Sequence, residues 1–331
     1  MMQKRKLGTT EVSPLGIGAM SFGPFYGPTT QDESFGVLDA AVELGVTHID
    51  TSNVYAGGKS EETIGAYLAA NPWAKDHFVI ATKGGITKDA DGNRCYRNDL
   101  DHLEAELNGS LKRLGVDCVE VYYVHRRQAD MPIEDAAEAL QALVAKGKCK
   151  SIGFSEIAPS SLRRAAAATP IAAVQSEYSL STRAPELGLL QATKELGAAL
   201  VAFSPVGRGL LTDTPPSLEK VEGIGFLKGN PRFQPDTLPP NLEYTDALRQ
   251  FASEMGEPTA AIAIAWTLAQ GDNIIPIPGT RTADHFRELV RGTEITLGDS
   301  ELAEIERILP VGWCHGDRYN AGQWNGPERY C

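Results

Sequence analysis

The sequence predicts a single (β/α)₈ barrel with long loops at the carboxyl ends of its strands. Three observations predict it. Eight short β-branched runs alternate with longer helical patterns, and that alternation implies a parallel sheet. A length of 331 residues suits one such barrel with insertions better than an open doubly wound sheet. The polar residues best suited to chemistry fall just after strand candidates, at the end of a barrel where active sites sit.

The strand candidates are residues 15–20, 47–49, 78–81, 118–124, 151–154, 172–175, 199–203 and 274–277. The helices between them carry start and stop signals. Thr30 can cap the first, with Glu33 three residues on in capping-box spacing, and Gly45 can end it in the left-handed conformation. A second runs over 100–114 and stops at Gly115. Pro132 suits the first turn of the next, which closes at Gly147, and a further one ends at Gly197. Two segments break the rhythm. Residues 211–243 are rich in Pro, Gly and charge and read as a long loop at the barrel mouth. Residues 310–331 come after the last helix and hold Trp313, Tyr319, Trp324 and Tyr330, too aromatic for a disordered tail and placed to carry specificity.

Composition narrows the function. Hydrophobic residues at 42% supply a large core, and a charged fraction of 22% is ordinary for a globular chain. A net charge of −12 disfavours nucleic acid and anionic membranes as partners, without forbidding an anionic ligand in a locally positive pocket. The five cysteines form no C-x-x-C pair, so neither a disulfide framework nor a metal site is expected, and free thiols fit a cytoplasmic protein. The basic N-terminus has no apolar run behind it and does not read as a signal peptide. The most apolar stretch, 259–271, is too short for a bilayer of about 30 Å and reads as a buried helix.

The residues at and just beyond the strand ends form the candidate site. Asp50 ends the second strand (HIDTSNVY) and Tyr55 lies in the loop beyond. Lys83 ends the third (IATKGG) and His125 the fourth (VYYVHR). Ser155 and Glu156 come after the fifth, Gln175 the sixth, Ser204 and Arg208 the seventh (FSPVGRG), and Gly279, Thr280 and Arg281 the eighth (IPIPGTR). A lone His or Lys there is more often structural. An Asp, a Tyr, a Lys and a His on three consecutive strands converge on one pocket. The set fits carbonyl reduction. A hydride turns the carbonyl oxygen into an alkoxide that needs a proton. A tyrosine, with an ordinary pKa of about 10, needs a nearby lysine to favour its phenolate. A carboxylate keeps that lysine charged and oriented, and a histidine stabilises charge developing on the oxygen.

These motifs together resemble the aldo-keto reductases over nearly the whole chain, from KLGTTEVSPLGIGAMSFG through HIDTSNVYAGGKSEETIG, ATKGG, YYVHR, KSIGFSE, QSEYSL, FSPVGRGLL and IPIPGTR. The resemblance implies a barrel closed at its amino end by a short hairpin over residues 4–18, and an extended NADPH lying across the carboxyl end. It implies Tyr55 as general acid, Lys83 and Asp50 tuning it, and His125 orienting the carbonyl. Ser155, Glu156 and Gln175 would meet the nicotinamide carboxamide, with Phe203 where the family places an aromatic on the ring face. Ser204, Gly207 and Arg208 would meet the pyrophosphate, and Gly279, Thr280, Arg281 and His285 the adenosine end. The chain departs from the pattern at three positions. Glu156 stands where many members have Asn, His285 where many have Arg, and Leu289 where Asn is frequent. A neutral His is a poor phosphate partner, so NADH stays open beside NADPH. Phe25, Tyr26, Trp313 and Trp324 are candidate pocket walls, or simple loop packing. Arg126 is a candidate substrate contact, or a cation paired only with an acid on the rim.

The expected function is NADPH-dependent reduction of an aldehyde or ketone by a monomer in the cytoplasm. Two alternatives stay open: the same residues working oxidatively on an alcohol or sugar, and a cofactor-binding regulatory subunit resembling those of potassium channels. A barrel isomerase or lyase without nicotinamide leaves the FSPVGRG and IPGTR loops without a role.

Overall fold

The computed structural model describes residues 2–331. Two antiparallel strands open the chain, β1 (Arg5–Leu7) and β2 (Thr10–Val12). Eight parallel strands then run in chain order around one sheet: β3 (Ile17–Gly18), β4 (His48–Asp50), β5 (Val79–Gly84), β8 (Val119–Val124), β9 (Cys149–Ser155), β10 (Ala173–Glu177), β11 (Ala199–Phe203) and β12 (Ile274–Ile277). Between β5 and β8 lies a second hairpin, β6 (Ile86–Lys88) with β7 (Arg94–Tyr96). The sheet closes on itself where the Gly16 amide donates to Pro276 O and the Gly18 amide to Pro278 O, both at 2.9 Å. This is the (β/α)₈ barrel the sequence predicts.

Period-two alternation sorts the strand side chains between two cores. Ala81, Val121, Tyr123, Ala173, Ala199, Val201, Ile275 and Ile277 fill the barrel interior, and Leu7 and Val12 of the hairpin plug its amino end. Their neighbours Tyr122, Val124, Leu200 and Ala202 face outward into the larger core beneath the helices. The helix ends obey the local signals. Thr30 caps Gln31–Glu43 with Glu33 completing the capping box, and Gly45 lies just beyond it at φ 73°. Leu100–Leu114 stops at left-handed Gly115. Thr259–Ala269 is buried nearly all round. Among the described residues no helix is long and apolar enough to cross a membrane.

Segment 211–243 departs from the loop expected of it. It holds the short helices Leu218–Glu222 and Gly225–Lys228, a 3₁₀ turn at Pro231–Phe233 and the start of Leu238–Glu254. The helices form because Leu210, Val221, Ile224, Leu227, Phe233 and Leu238 bury one another in a core of their own. Composition rich in Pro and Gly hid that spacing. The 310–331 tail has no regular element, yet it is packed against the barrel.

Tyr123 fixes one position in the barrel interior. Its ring leaves no room for a side chain at Gly153, where a Cβ would lie 2.5 Å from the ring and 2.6 Å from Ala173 O. Gly153→Ala is therefore expected to cost about 1–3 kcal/mol by overpacking, measured as a lowered denaturant midpoint.

Candidate active site

Parallel strands deliver their last residues to one rim, and the four candidate catalytic residues meet there. Lys83 at the end of β5 is fully buried. Its ammonium donates to Asp50 Oδ1 on β4, to Thr51 O at 2.7 Å and to the Tyr55 hydroxyl at 3.3 Å. The same ammonium lies 4.9 Å from the Tyr55 ring centre. Burial works against the charge on Lys83, but Asp50 and Tyr55 outweigh it and hold the ammonium above its ordinary pKa. The second oxygen of Asp50 accepts from Gln175 Nε2 at 2.7 Å. His125 sits just past β8 with its ring 5.8 Å from that of Tyr55, edge to face. Burial, reinforced by the Arg126, Lys83 and Arg94 cations, pushes its pKa well below the ordinary histidine value, so the imidazole is neutral. Its Nδ1 lies 3.0 Å from Ser52 Oγ, a partner that sequence reasoning missed.

A cavity of about 840 Å³ opens over these groups. At one end it is lined by Tyr55, Asp50, His125, Arg126, Ser155 and Gln175, with Phe25 and Tyr26 as walls. Phe203, Ser204 and Arg208 of the seventh barrel strand and its loop, and Gly279, Thr280, Arg281, His285 and Leu289 beyond the eighth, complete the lining. Lys83 does not line the cavity and reaches it through Tyr55 and Asp50.

Besides Lys83, four expected site residues do not line this space. Glu156, in the left-handed region at φ 61°, turns its carboxylate inward to Arg318 at 2.7 Å and accepts from the Glu177 amide. A carboxylate there has a buried cation to bind, so it points away from the place expected for the nicotinamide. Gly207 is buried inside the turn that Ser204 and Arg208 begin and end. Trp313 is buried in the outer core and donates Nε1 to Leu180 O at 2.8 Å. Trp324 packs behind Tyr319, rings 5.6 Å apart, and donates to Asp317. Tyr319 takes the wall position instead, with Gln323 beside it.

The second hairpin also went unread. Its residues Ile86, Thr87, Lys88 and Arg94 line the catalytic end. The signal was Asp91-Gly92 between two short runs. Asp89 Oδ1 accepts from the Asp91 and Asn93 amides and bends the chain there.

Beneath the cavity floor two buried carboxylates gather the mouth segment and the tail. Glu177 holds Arg208 at 2.6 Å and Arg232 at 3.2 Å, with Arg318 at 3.8 Å. Arg208 and Asn230 both donate to Arg318 O at 2.8 Å. Burial alone would raise the Glu177 carboxyl, but the three guanidiniums hold it below its ordinary pKa.

Sequence and structure comparisons agree with this fold. A model of the aldo/keto reductase family matches residues 14–310. The chain belongs to the aldo/keto reductase family. An aldo-keto reductase of Schizosaccharomyces pombe, named with NADP(+), is 36% identical over 96% of this chain and 94% of its own length. One of Strobilurus tenacellus is 39% identical over 95% of this chain and 94% of its own. Among solved structures, a glycerol dehydrogenase of Gluconobacter oxydans superposes with a TM-score of 0.80 at 26% identity, covering 92% of this chain and 94% of that one. This aldo/keto reductase is thus an oxidoreductase by family.

The residues fit an elongated anionic cofactor. Buried Arg208 lines the cavity with its Nε unpartnered, and Arg281 also lines it and donates to Pro28 O. Gly279 lines the cavity while packing against the first barrel strand, where a Cβ would press to 2.8 Å from Gly18 O.

Glu177→Gln is expected to destabilise the protein by about 3–5 kcal/mol at pH 7, because guanidiniums buried with Glu177 lose their counter-charge. The folded carboxyl is the more acidic, so this contribution is present above the unfolded pKa of about 4.3 and fades as pH falls through the folded value. Urea unfolding of both proteins across that range checks it.

Proposed function

We propose that the chain reduces an aldehyde or ketone to an alcohol with NADPH, Tyr55 serving as general acid. The observation that carries this reading is the Tyr55 hydroxyl, held 3.3 Å from the buried Lys83 ammonium and open to the cavity beside a neutral imidazole. NADPH when bound supplies the hydride. Tyr55 gives its proton to the oxygen as negative charge builds there, and the Lys83 ammonium stabilises the phenolate left behind. Asp50 balances Lys83 and holds it in register. Of the partners of the Ser52 hydroxyl, His125 Nδ1 at 3.0 Å is nearer than Asn53 Oδ1 at 3.3 Å. A proton directed to Nδ1 leaves the other ring nitrogen to donate into the cavity, where it orients the carbonyl oxygen.

For the cofactor, Ser155 and Gln175 would take the nicotinamide carboxamide, Gln175 with the amide face not engaged by Asp50. Phe203 would lie against the ring. Ser204 and Arg208 would meet the pyrophosphate, and Gly279, Thr280, Arg281 and His285 the adenosine end. The NADP(+) in the name of the Schizosaccharomyces relative supports NADPH, as does Arg281. The likeness to a glycerol dehydrogenase favours a second reading, in which the same residues oxidise an alcohol and Tyr55 accepts the proton.

The test is loss of NADPH absorbance with a panel of aldehydes and ketones, in parallel with NADH. Tyr55→Phe is expected to bind cofactor normally and lose about 10²–10⁴-fold in turnover; turnover equal to the parent removes Tyr55 as the acid. Arg281→Ala is expected to weaken NADPH far more than NADH in fluorescence titration, and equal losses would place the 2′-phosphate elsewhere.

A further inference from the structure

We propose that the substrate of this site carries a carboxylate, bound by Arg126, with Arg94 of the second hairpin as a further cation at the rim. The proposal rests on the reductase reading and names its substrate class.

The argument begins with a charge imbalance. Glu156 and Glu177 sit in one buried cluster with Arg126, Arg208, Arg232 and Arg318, two carboxylates against four guanidiniums. Unbalanced buried charge is costly, so an anion is expected to complete the cluster. Arg232 and Arg318 are engaged by the carboxylates and do not line the cavity. Arg126 and Arg208 do. Arg208 lies along the stretch proposed for the pyrophosphate, which leaves Arg126.

Arg126 is nine-tenths buried, and among the described residues no carboxylate lies within ion-pair distance of it. Its hydrogen bonds go to neutral acceptors: NH1 to His125 O at 2.6 Å and to Ser155 Oγ at 3.1 Å, NH2 to the Tyr319 hydroxyl at 3.3 Å. A guanidinium has about five N–H donors in a planar fork that matches a carboxylate. Those contacts orient the group, use three of its donors, and leave the residue in the cavity lining next to His125. Arg94 and Lys88 line the same end from β7 and β6, both exposed, and Arg94 is close enough to depress the His125 pKa. Phe25, Tyr26 and Phe226 form an edge-to-face group in the cavity lining, with Phe25 edge-on to Tyr55 at 6.2 Å. That pairing suits an apolar body with an acidic end, such as an aromatic oxo acid.

The experiment compares 3- and 4-carboxybenzaldehyde with their methyl esters, which keep the aldehyde and remove the charge. The parent protein is expected to favour an acid over its ester by about tenfold or more in kcat/KM, mainly through KM, as one charge-assisted contact would give. Arg126→Met is expected to bring acid and ester together while the ester is still reduced, and Arg94→Ala to narrow the gap partly. Esters reduced as well as acids by the parent, or a preference untouched in both variants, would overturn the proposal and leave the reductase reading standing. If neither acid nor ester is turned over, and the wider panel of aldehydes and ketones is not reduced either, the reductase reading fails separately. Calorimetry of 4-(hydroxymethyl)benzoate against its methyl ester, on parent protein with NADP⁺, then decides the anion site alone. Binding of the acid no tighter than the ester overturns it, and it also covers an Arg126→Met chain that does not fold.

Discussion

A lysine ammonium with no exposure to water cannot stay charged alone, and much of the catalytic end is arranged around that constraint. Removing an ion of this kind from water costs several kcal/mol even after relaxation. Asp50 meets the charge on Lys83, Thr51 O accepts a second N–H, and the Tyr55 hydroxyl accepts a third at the cavity surface. Asp50 is fixed in turn by Gln175, on a strand farther round the barrel than that of Lys83. The neutral state of His125 comes first from its own burial, to which the Arg126, Lys83 and Arg94 cations add. The barrel makes this feasible, since parallel strands in register bring groups distant in sequence to one rim.

A second buried charge group does for the mouth what Lys83 does for the floor. Glu177 and Glu156 lie at the ends of neighbouring strands, and through Arg232 and Arg318 they hold the 211–243 segment and the C-terminal tail against the barrel. The tail is tied again by Glu328, whose carboxylate binds Arg127 and accepts from the Ala158 amide at 2.7 Å, while its own amide donates to Glu156 O at 2.9 Å. Ion pairs with this little exposure are costly to form and more costly to break one-sidedly. They specify where two otherwise irregular segments lie, and so position Tyr319 and Phe226 over the cavity. The backbone is locally strained in the same region: Ala56, Glu156, Ser204 and Arg208 all sit at positive φ without being glycine.

The sequence was most legible where a residue's role depends on its immediate surroundings. Alternation gave the eight strands, glycines gave the helix ends, and position at a strand end brought Asp50, Tyr55, Lys83 and His125 together. Legibility ended where the partner lies far along the chain. Trp313 and Trp324 promised a wall by size alone, but an indole N–H also wants an acceptor. Leu180 O and Asp317 supply acceptors away from the cavity. The smaller Tyr319, flanked by Arg208 and Arg318 at 5.3 and 4.6 Å, is the ring that is held in place. The second hairpin was missed because three-residue strands leave too short a pattern to read, even with an Asp-Gly turn between them.

Glu156 shows how a family pattern and its local physics can part. Read by resemblance, the position touches cofactor, and a carboxylate there is a poor copy of an amide. Read from its surroundings, it is one of two anions available to a buried group of guanidiniums. An amide could accept from Arg318 but could not balance its charge. Substituting Glu at this position therefore changes which charges the pocket floor must share. With Glu156 drawn to Arg318 and Glu177 to Arg208 and Arg232, neither carboxylate is left for Arg126. The guanidinium nearest His125 keeps its positive charge facing the reacting end of the cavity.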